Sequence, residues 1–449
     1  MRTEQLLGIT GQEIKQREEE GCNVAEVRNR YEEVRNLPED QQTGRLEGIL
    51  SSLEDLAPDP KYTEPSDLDG IRAGRPEGPR RMQNLFSVPD LLSRTHGGWL
   101  GRCVGCLLGK PVENWNRAQI HAVATVDDNY PLRDYFGAVT LPMGNRSFTS
   151  DNECLRGQIR RMARDDDTDY TITGLLLLER HGYDVTTEDV AAFWLAELPY
   201  HKVYTAERVA YRNLVDGLSP SEAGAYLNPC REWIGAQIRA DAFGYACPGM
   251  PEMAAELAYR DAYLSHRKNG IYGEMFVAAM IAAAYVEQDV REIIRIGLSE
   301  IPRETRLSEA VQRVIKSWDR SKDWARVSDQ IDEHYGDLQG CHTITNAAIV
   351  ILGLLAGEED FTAGLAASIM PGYDTDCNGA TVGSILGIRL GADELPPHWT
   401  EPLNDTVQSA LFSLPESKIS DLARRTVRLV EDRLRASARA GTVEPITWE

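Results

Sequence analysis

Glycines at positions 379, 383, 387 and 391 recur at every fourth residue behind the stretch Gly372-Tyr373-Asp374-Thr375-Asp376-Cys377-Asn378. Four residues are close to one turn of helix, so these glycines share a face. Each costs about 1 kcal/mol of helix propensity relative to alanine. A chain that keeps such a face has a use for it, and the physical use is close approach of a second backbone. The spacing therefore predicts a tightly packed helix pair that also fixes the acidic loop preceding the stripe.

Most other segments also carry helical patterning. Ser93 to Leu108 is rich in glycine and small apolar residues, and Thr171 to Arg180 is apolar nearly all round, with His181-Gly182 as its stop. Thr187-Glu188-Asp189 reads as the cap of a helix running from Val190 to Leu198. Gly273 to Glu287 and Thr345 to Ala356 read as buried helices, and Ser420 to Arg439 as an amphipathic one. The best strand candidate is the short run Ala122 to Val126. The expected class is all-α, an orthogonal array of many helices. Residues 1–87 are expected to form a helical N-terminal extension, with an apolar face at Leu46, Ile49, Leu50, Leu53 and Leu56, followed by an irregular linker rich in proline and glycine. The main body is expected to span 88–449.

The chain carries 48 basic and 70 acidic side chains, a formal charge of −22, which argues against non-specific nucleic-acid or anionic-membrane binding. Its longest stretch free of charged and strongly polar residues is Met275 to Val286, twelve residues against the roughly 20 that a membrane span needs. The N-terminus turns charged too soon for a signal peptide, so a cytoplasmic protein is expected. Eight scattered cysteines are too few for a disulfide framework at this length. Cys103 and Cys106 have C-x-x-C spacing but no second pair, and read as small buried hydrophobes. His342 is the histidine placed nearest to chemistry.

Asp165-Asp166-Asp167-Thr168-Asp169 precedes the helix that starts near Thr171. Carboxylates favour helix N-termini by roughly 0.3–1 kcal/mol each. Four in five positions exceed what capping needs, and their mutual repulsion is relieved by a cation. Asp374 and Asp376 occupy the same kind of helix entrance. Two such entrances face to face offer enough anionic oxygens for one or two Mg²⁺ ions. Asp165-Asp166-x-x-Asp169 also matches the D-D-x-x-D of helical terpene synthases, but Asn404-Asp405-Thr406-Val407-Gln408-Ser409 misplaces the serine of their second motif, and 7% aromatic residues is low for a carbocation cavity.

Together these motifs resemble those of the ADP-ribosylglycohydrolase (DraG-like) family. Gly101-Arg102-Cys103-Val104-Gly105 with Gly109-Lys110-Pro111-Val112-Glu113 is similar to its G-D-A-x-G…P-x-E opening. Asp165-Asp166-Asp167-Thr168 resembles T-D-D-T, and Gly372 to Asn378 resembles G-G-D-T-D-T-N. Asn269-Gly270-Ile271-Tyr272-Gly273-Glu274 falls where the family has a loop before a buried helix. A second stretch, Thr149-Ser150-Asp151-Asn152-Glu153, also resembles T-D-D-T, but the helices after Asp167 reproduce the family's order better.

The resemblance implies an ADP-ribosylglycohydrolase-like all-α fold, a site with two Mg²⁺ ions, and hydrolysis of a ribosyl bond. It implies metal ligation by Asp165, Asp166, Asp167, Asp374, Asp376 and Cys377, and catalysis by Glu113, Asp166 and Asp167. It implies substrate contacts from Asn269, Gly270, Tyr272, Gly273, Glu274, Gly372 and Tyr373. Four departures stand out: Asp165 and Cys377 in place of threonines, Arg102 in place of an aspartate, and Tyr373 in place of a glycine. A neutral thiol at Cys377 is a poor Mg²⁺ ligand. These departures favour a small nucleotide-derived riboside as the substrate over an ADP-ribosylated protein side chain. The competing reading is a module that binds ADP-ribose without turning it over.

Overall fold

In the computed structural model, which describes residues 2–139, 152–440 and 446–448, the glycine-faced helix is Thr375–Leu390. It lies antiparallel against Val88–Gly109, the most extensive helix contact among the described residues. The partner helix has its own glycine stripe. A Cβ on Gly97, Gly101 or Gly105 would stand 2.2, 2.0 or 1.9 Å from the carbonyl oxygen of Gly387, Gly383 or Gly379. The relation is reciprocal, since a Cβ on Gly383 would stand 2.1 Å from the Gly101 oxygen. Backbone lies on backbone along three turns, and no other residue fits.

The pair packs into a body of helices whose centre is apolar on all sides. Every residue of Asn269–Ala284 is buried, as is every residue of Thr343–Ala356 except the last. Asp166–His181 brings its first turn to the same centre and ends at Gly182, whose φ of +67° suits glycine. The amphipathic helix Ile419–Ala440 packs on Val88–Gly109, where the Trp99 indole N–H donates to Thr426 Oγ1 at 3.2 Å. The described strands are short: Asn84–Phe86 pairs in parallel with Ile446–Trp448, and Thr406–Gln408 pairs antiparallel with Glu416–Lys418.

The N-terminal helices Thr3–Glu19, Ala25–Arg35 and Thr43–Glu54 close on a small apolar core of their own, with Leu46, Ile49 and Leu53 at its centre. Charge holds them to the body. Arg231 pairs with Glu13 at 2.7 Å and Glu20 at 2.6 Å, Lys268 pairs with Glu20 at 2.6 Å, and Gln16 donates to Glu232 at 3.0 Å. Burial alone would raise the Glu20 carboxyl, but Arg231 and Lys268 outweigh it and hold it below the ordinary range.

Several local expectations are corrected. Ala122 to Val126 is the end of a helix, Arg117–Val126, because the Asn116/Gln119 capping box nucleates it and Ile120, Val123 and Ala124 are buried at helical spacing. The linker is not wholly irregular: Asp67 caps a helix, Leu68–Gly74. The cap of Thr187–Glu197 is Thr186, one residue earlier than expected. Asn269 to Glu274 is not a loop but the start of the buried helix.

Gly105→Ala is expected to destabilise the chain by about 3 kcal/mol, at the upper end of overpacking costs, because only backbone can yield. Gly8→Ala, in a helix with open space around its Cβ, is expected to stabilise by roughly 0.5–1 kcal/mol. Urea unfolding of the two variants checks the contrast.

Candidate active site

The helix pair ends where the acidic loops begin. Thr375 donates its hydroxyl hydrogen to the Gly109 carbonyl at 2.8 Å, locking the end of one glycine helix to the start of the other. After Gly109 the chain makes a single tight turn, Lys110–Val112, and reaches Glu113. Lys110 and Glu113 are thus set against Asp374 and Asp376 by the register of the glycines.

Two groups of side chains there could hold a metal: Cys106, Asp165 and Asp167, and Glu113, Asp374 and Asp376, each with its ligand atoms within 4.8 Å of one another. The two helix entrances differ in what their carboxylates already do. Asp165 caps Asp166–His181, accepting the Asp167 amide at 3.1 Å, and its other oxygen is paired with Lys110. Asp167 accepts from the buried Arg102 at 3.2 Å. Asp374 stands at the corresponding N-cap of Thr375–Leu390 yet makes no cap bond with its side chain. Its amide and the Asn378 side chain both donate to Asn346 Oδ1, at 3.2 and 2.9 Å, which fixes the loop.

Burial pushes the Asp376 carboxyl well above the usual range, and Glu113 and Asp165 add to the effect. Burial also raises Asp374, against the hydrogen bonds that it receives from Asp376 and Cys341. Glu113 is solvent-exposed as a residue, but its carboxyl is desolvated beside Asp374 and Asp165 and is pushed up to about 7. Buried like charges with no counter-ion take up protons, and a divalent cation reverses that balance. Asp376 Oδ1 has no hydrogen-bond partner although the residue is 5% exposed. Three carboxylates, one of them with an orphaned buried oxygen, fit a hard divalent ion.

Other expected site residues are placed differently. Asp166 is half-buried at the first helical position, outside both groups. Asp169 has both oxygens taken, by Arg164 and by the Ala410 amide at 2.8 Å. Cys377 is fully buried and outside both groups, its thiol pushed well above its ordinary range by burial and then by Asp167 and Asp374. Asn269 donates to Glu232 at 2.9 Å and accepts from the Leu307 amide at 3.1 Å, Tyr272 donates to the Pro65 carbonyl, and Glu274 faces Arg239 at 3.6 Å. Gly270 and Gly273 are buried between these contacts, against the Arg231 carbonyl and Thr343. These five residues belong to neither acidic group. His342 caps Thr343–Ala356, accepting the Ile344 amide at 3.2 Å, and burial pushes it down to about 4, so it serves as a neutral cap. Thr149, Ser150 and Asp151 lie outside the described residues.

Beside Glu113 a cavity of about 520 Å³ is lined by Asn114, Trp115, Asn116, Arg117, Asp332, Gly340 and Tyr373, among others. Gly372 and Tyr373 both have positive φ, +90° and +67°. A Cβ on Gly372 would stand 2.4 Å from the Trp115 carbonyl oxygen, and the Asn114 amide donates to the Tyr373 carbonyl at 3.1 Å. Tyr373 donates its hydroxyl hydrogen to Asp332 at 2.6 Å. A similar groove of about 530 Å³, lined by Glu309, Arg313, Lys316 and Arg320, shares no residue with the acidic groups.

The sequence model of the ADP-ribosylglycohydrolase family matches residues 87–436. The chain belongs to that family. Its members are hydrolases of ADP-ribosyl-type glycosidic linkages, and this chain is a glycosidase of that class. Among solved structures, a chain titled "ADP-ribosylglycohydrolase-related protein complex" is 17% identical, with a TM-score of 0.52, over 76% of this chain and 99% of that one. At that identity the likeness concerns the fold. No curated protein matches.

Sequence reasoning missed Lys110, Cys106, Cys341 and Asn346 as neighbours of the carboxylates. Lys110 had a local signal, lying one turn before Glu113. Cys341 and Asn346 had none, since only the fold brings the start of Thr343–Ala356 to Asp374.

With burial pushing the Glu113 carboxyl up to about 7 and Asp376 well above its usual range, binding of a divalent ion is expected to release protons. The apparent affinity for a divalent ion is expected to rise from pH 5 to pH 7 by up to about tenfold per unit for each proton released. Calorimetry in buffers of different ionisation enthalpy checks this. An affinity independent of pH, with no proton release, contradicts it.

Proposed function

We propose that the chain is a Mg²⁺-dependent hydrolase of a ribosyl N-glycosidic bond in a small nucleotide-derived metabolite. One observation carries the reading: Glu113 belongs to the uncompensated acidic group, and the residues directly after it, Asn114 to Arg117, line the neighbouring cavity. A substrate seated in that cavity has its reacting end at the carboxylates. Volumes of this order suit a ligand of nucleotide size.

The ion, held by Asp374, Asp376 and Glu113, would neutralise the acidic group and orient the vicinal hydroxyls of a ribose. The chain's own residues supply the rest. Departure of the leaving group builds positive charge at the anomeric carbon, and the carboxylates of Asp374 and Asp376 stabilise it. Glu113, the exposed member of the acidic group, accepts the proton of the attacking water and returns it to the leaving nitrogen. Trp115 and Tyr373 offer flat apolar walls for the sugar and base, and the Asn114 and Asn116 amides offer donors and acceptors. The hydrogen bond from Tyr373 to Asp332 closes one wall of the cavity, which favours a small substrate over one carried on a protein.

With Mg²⁺ present, NAD-derived ribosides are expected to be cleaved faster than ADP-ribosyl-arginine on protein, as read by mass spectrometry of the products. Glu113→Gln and Asp376→Asn are each expected to lower kcat by about 10²-fold or more. Wild-type rates in either variant sink the proposal. Faster release from protein reverses the choice of substrate and leaves the site assignment standing.

A further inference from the structure

We infer that this chain binds one divalent ion and not two, because Lys110 and Arg102 occupy the second place as permanent cations. The inference rests on the metal-dependent reading above. Its basis is the unequal balance of charge in the two acidic groups. Asp165 is spent on both oxygens, one on the Asp167 amide at 3.1 Å and the other on Lys110. Asp167 meets a guanidinium that is fully buried and has no alternative position: Arg102 donates to Asp167 Oδ1 at 3.2 Å, to the Asp167 carbonyl at 2.8 Å, to Asp241 at 2.7 Å and to the Ile238 carbonyl at 2.6 Å. The third member of this group is the Cys106 thiol, a soft ligand that a hard cation does not select. A divalent ion here would face two fixed positive charges at close range and would gain few free oxygens.

The other group is the converse. Among the described residues, Glu113, Asp374 and Asp376 have no ion pair with lysine or arginine, and the buried Asp376 Oδ1 is without any hydrogen-bond partner. Three carboxylates within 4.8 Å of one another need compensation, and Lys110, paired directly with Asp165, acts on them only through space. The ion therefore belongs to that group. The Lys110 ammonium, on the turn that leads to Glu113, supplies the positive charge on the opposite side. Lysine suits this role because its ammonium is a compact point charge on a flexible stem.

The test is a titration of the full-length chain with Mn²⁺, bound ion being counted from the loss of the free Mn²⁺ paramagnetic resonance signal. The wild type is expected to bind one equivalent. Asp376→Asn is expected to lose it, with affinity at least tenfold weaker. Asp165→Asn, which keeps a good helix cap, is expected to retain it within threefold. Lys110→Gln is expected to admit a second equivalent, with circular dichroism and melting showing an intact fold. Two equivalents in the wild type, equal losses in Asp165→Asn and Asp376→Asn, or a single equivalent in folded Lys110→Gln each overturn the inference. No binding to the wild type overturns the metal-dependent reading itself, and this inference with it.

Discussion

Direct contact between two helix backbones governs this structure. At Gly97, Gly101 and Gly105 the missing side chains let Val88–Gly109 and Thr375–Leu390 approach until carbonyl oxygens stand where Cβ atoms would be. Such packing has no soft degree of freedom: a rotamer cannot absorb a misfit that backbone atoms define. The register that results is carried to the ends of both helices. One end releases the Lys110–Glu113 turn and the other begins with Asp374 and Asp376, so the acidic residues inherit their spacing from glycines up to three turns away. The intrinsic helix propensity given up at each glycine, about 1 kcal/mol, is offset by dispersion over a long contact and by weak Cα–H···O interactions.

A buried polar network ties the same two helices a second time. Arg102 follows Gly101 directly, and through Asp241 its guanidinium reaches Tyr245, whose hydroxyl lies 3.1 Å from Asp241 and 2.7 Å from Ser384. Ser384 follows Gly383, the partner of Gly101 across the helix contact. The chain from Arg102 to Ser384 thus spans the contact beside the glycine pair. A fully buried guanidinium is tolerable only when its donors are satisfied, and removing one partner of such a pair costs about 3–5 kcal/mol. The network therefore resists sliding of the helices, while the glycines resist their separation.

Legibility in the sequence depended on how local each signal was. The stripe Gly379, Gly383, Gly387, Gly391 announced a close helix partner, and the all-α class came from periodicities that the helices Asp166–His181 and Thr343–Ala356 bear out. Asp374 and Asp376 stood out because they occupy a helix entrance like that of Asp165 to Asp169, where four carboxylates in five positions exceed what capping needs. The roles of Asp165 and Asp374 were not separable, since both precede a helix and only the fold gives Lys110 to one of them. Asn269 to Tyr272 fell where the resembled family has a loop, and the buried helix read from Gly273 in fact begins at Asn269, its glycines and asparagine held helical by burial. The helix at Arg117–Val126 was misread for the same reason in reverse, its β-branched end outweighing a capping box several residues upstream.

Tyr373 joins the rigid and the variable parts of the site. A tyrosine at φ +67° is strained by about 1–3 kcal/mol relative to glycine, and nothing about the acidic group requires the ring, since Gly372 beside it already makes the turn. The strain persists because the Asn114 amide, at 3.1 Å, and Asp332, at 2.6 Å, hold the residue at both its carbonyl and its hydroxyl. The Asn114 bond also ties the Glu113 turn to the acidic loop, so the residue that narrows the cavity is held by the same contact that sets Glu113 against Asp374. Cavity shape and carboxylate geometry therefore meet at the Tyr373 backbone, whose carbonyl holds the turn that carries Glu113.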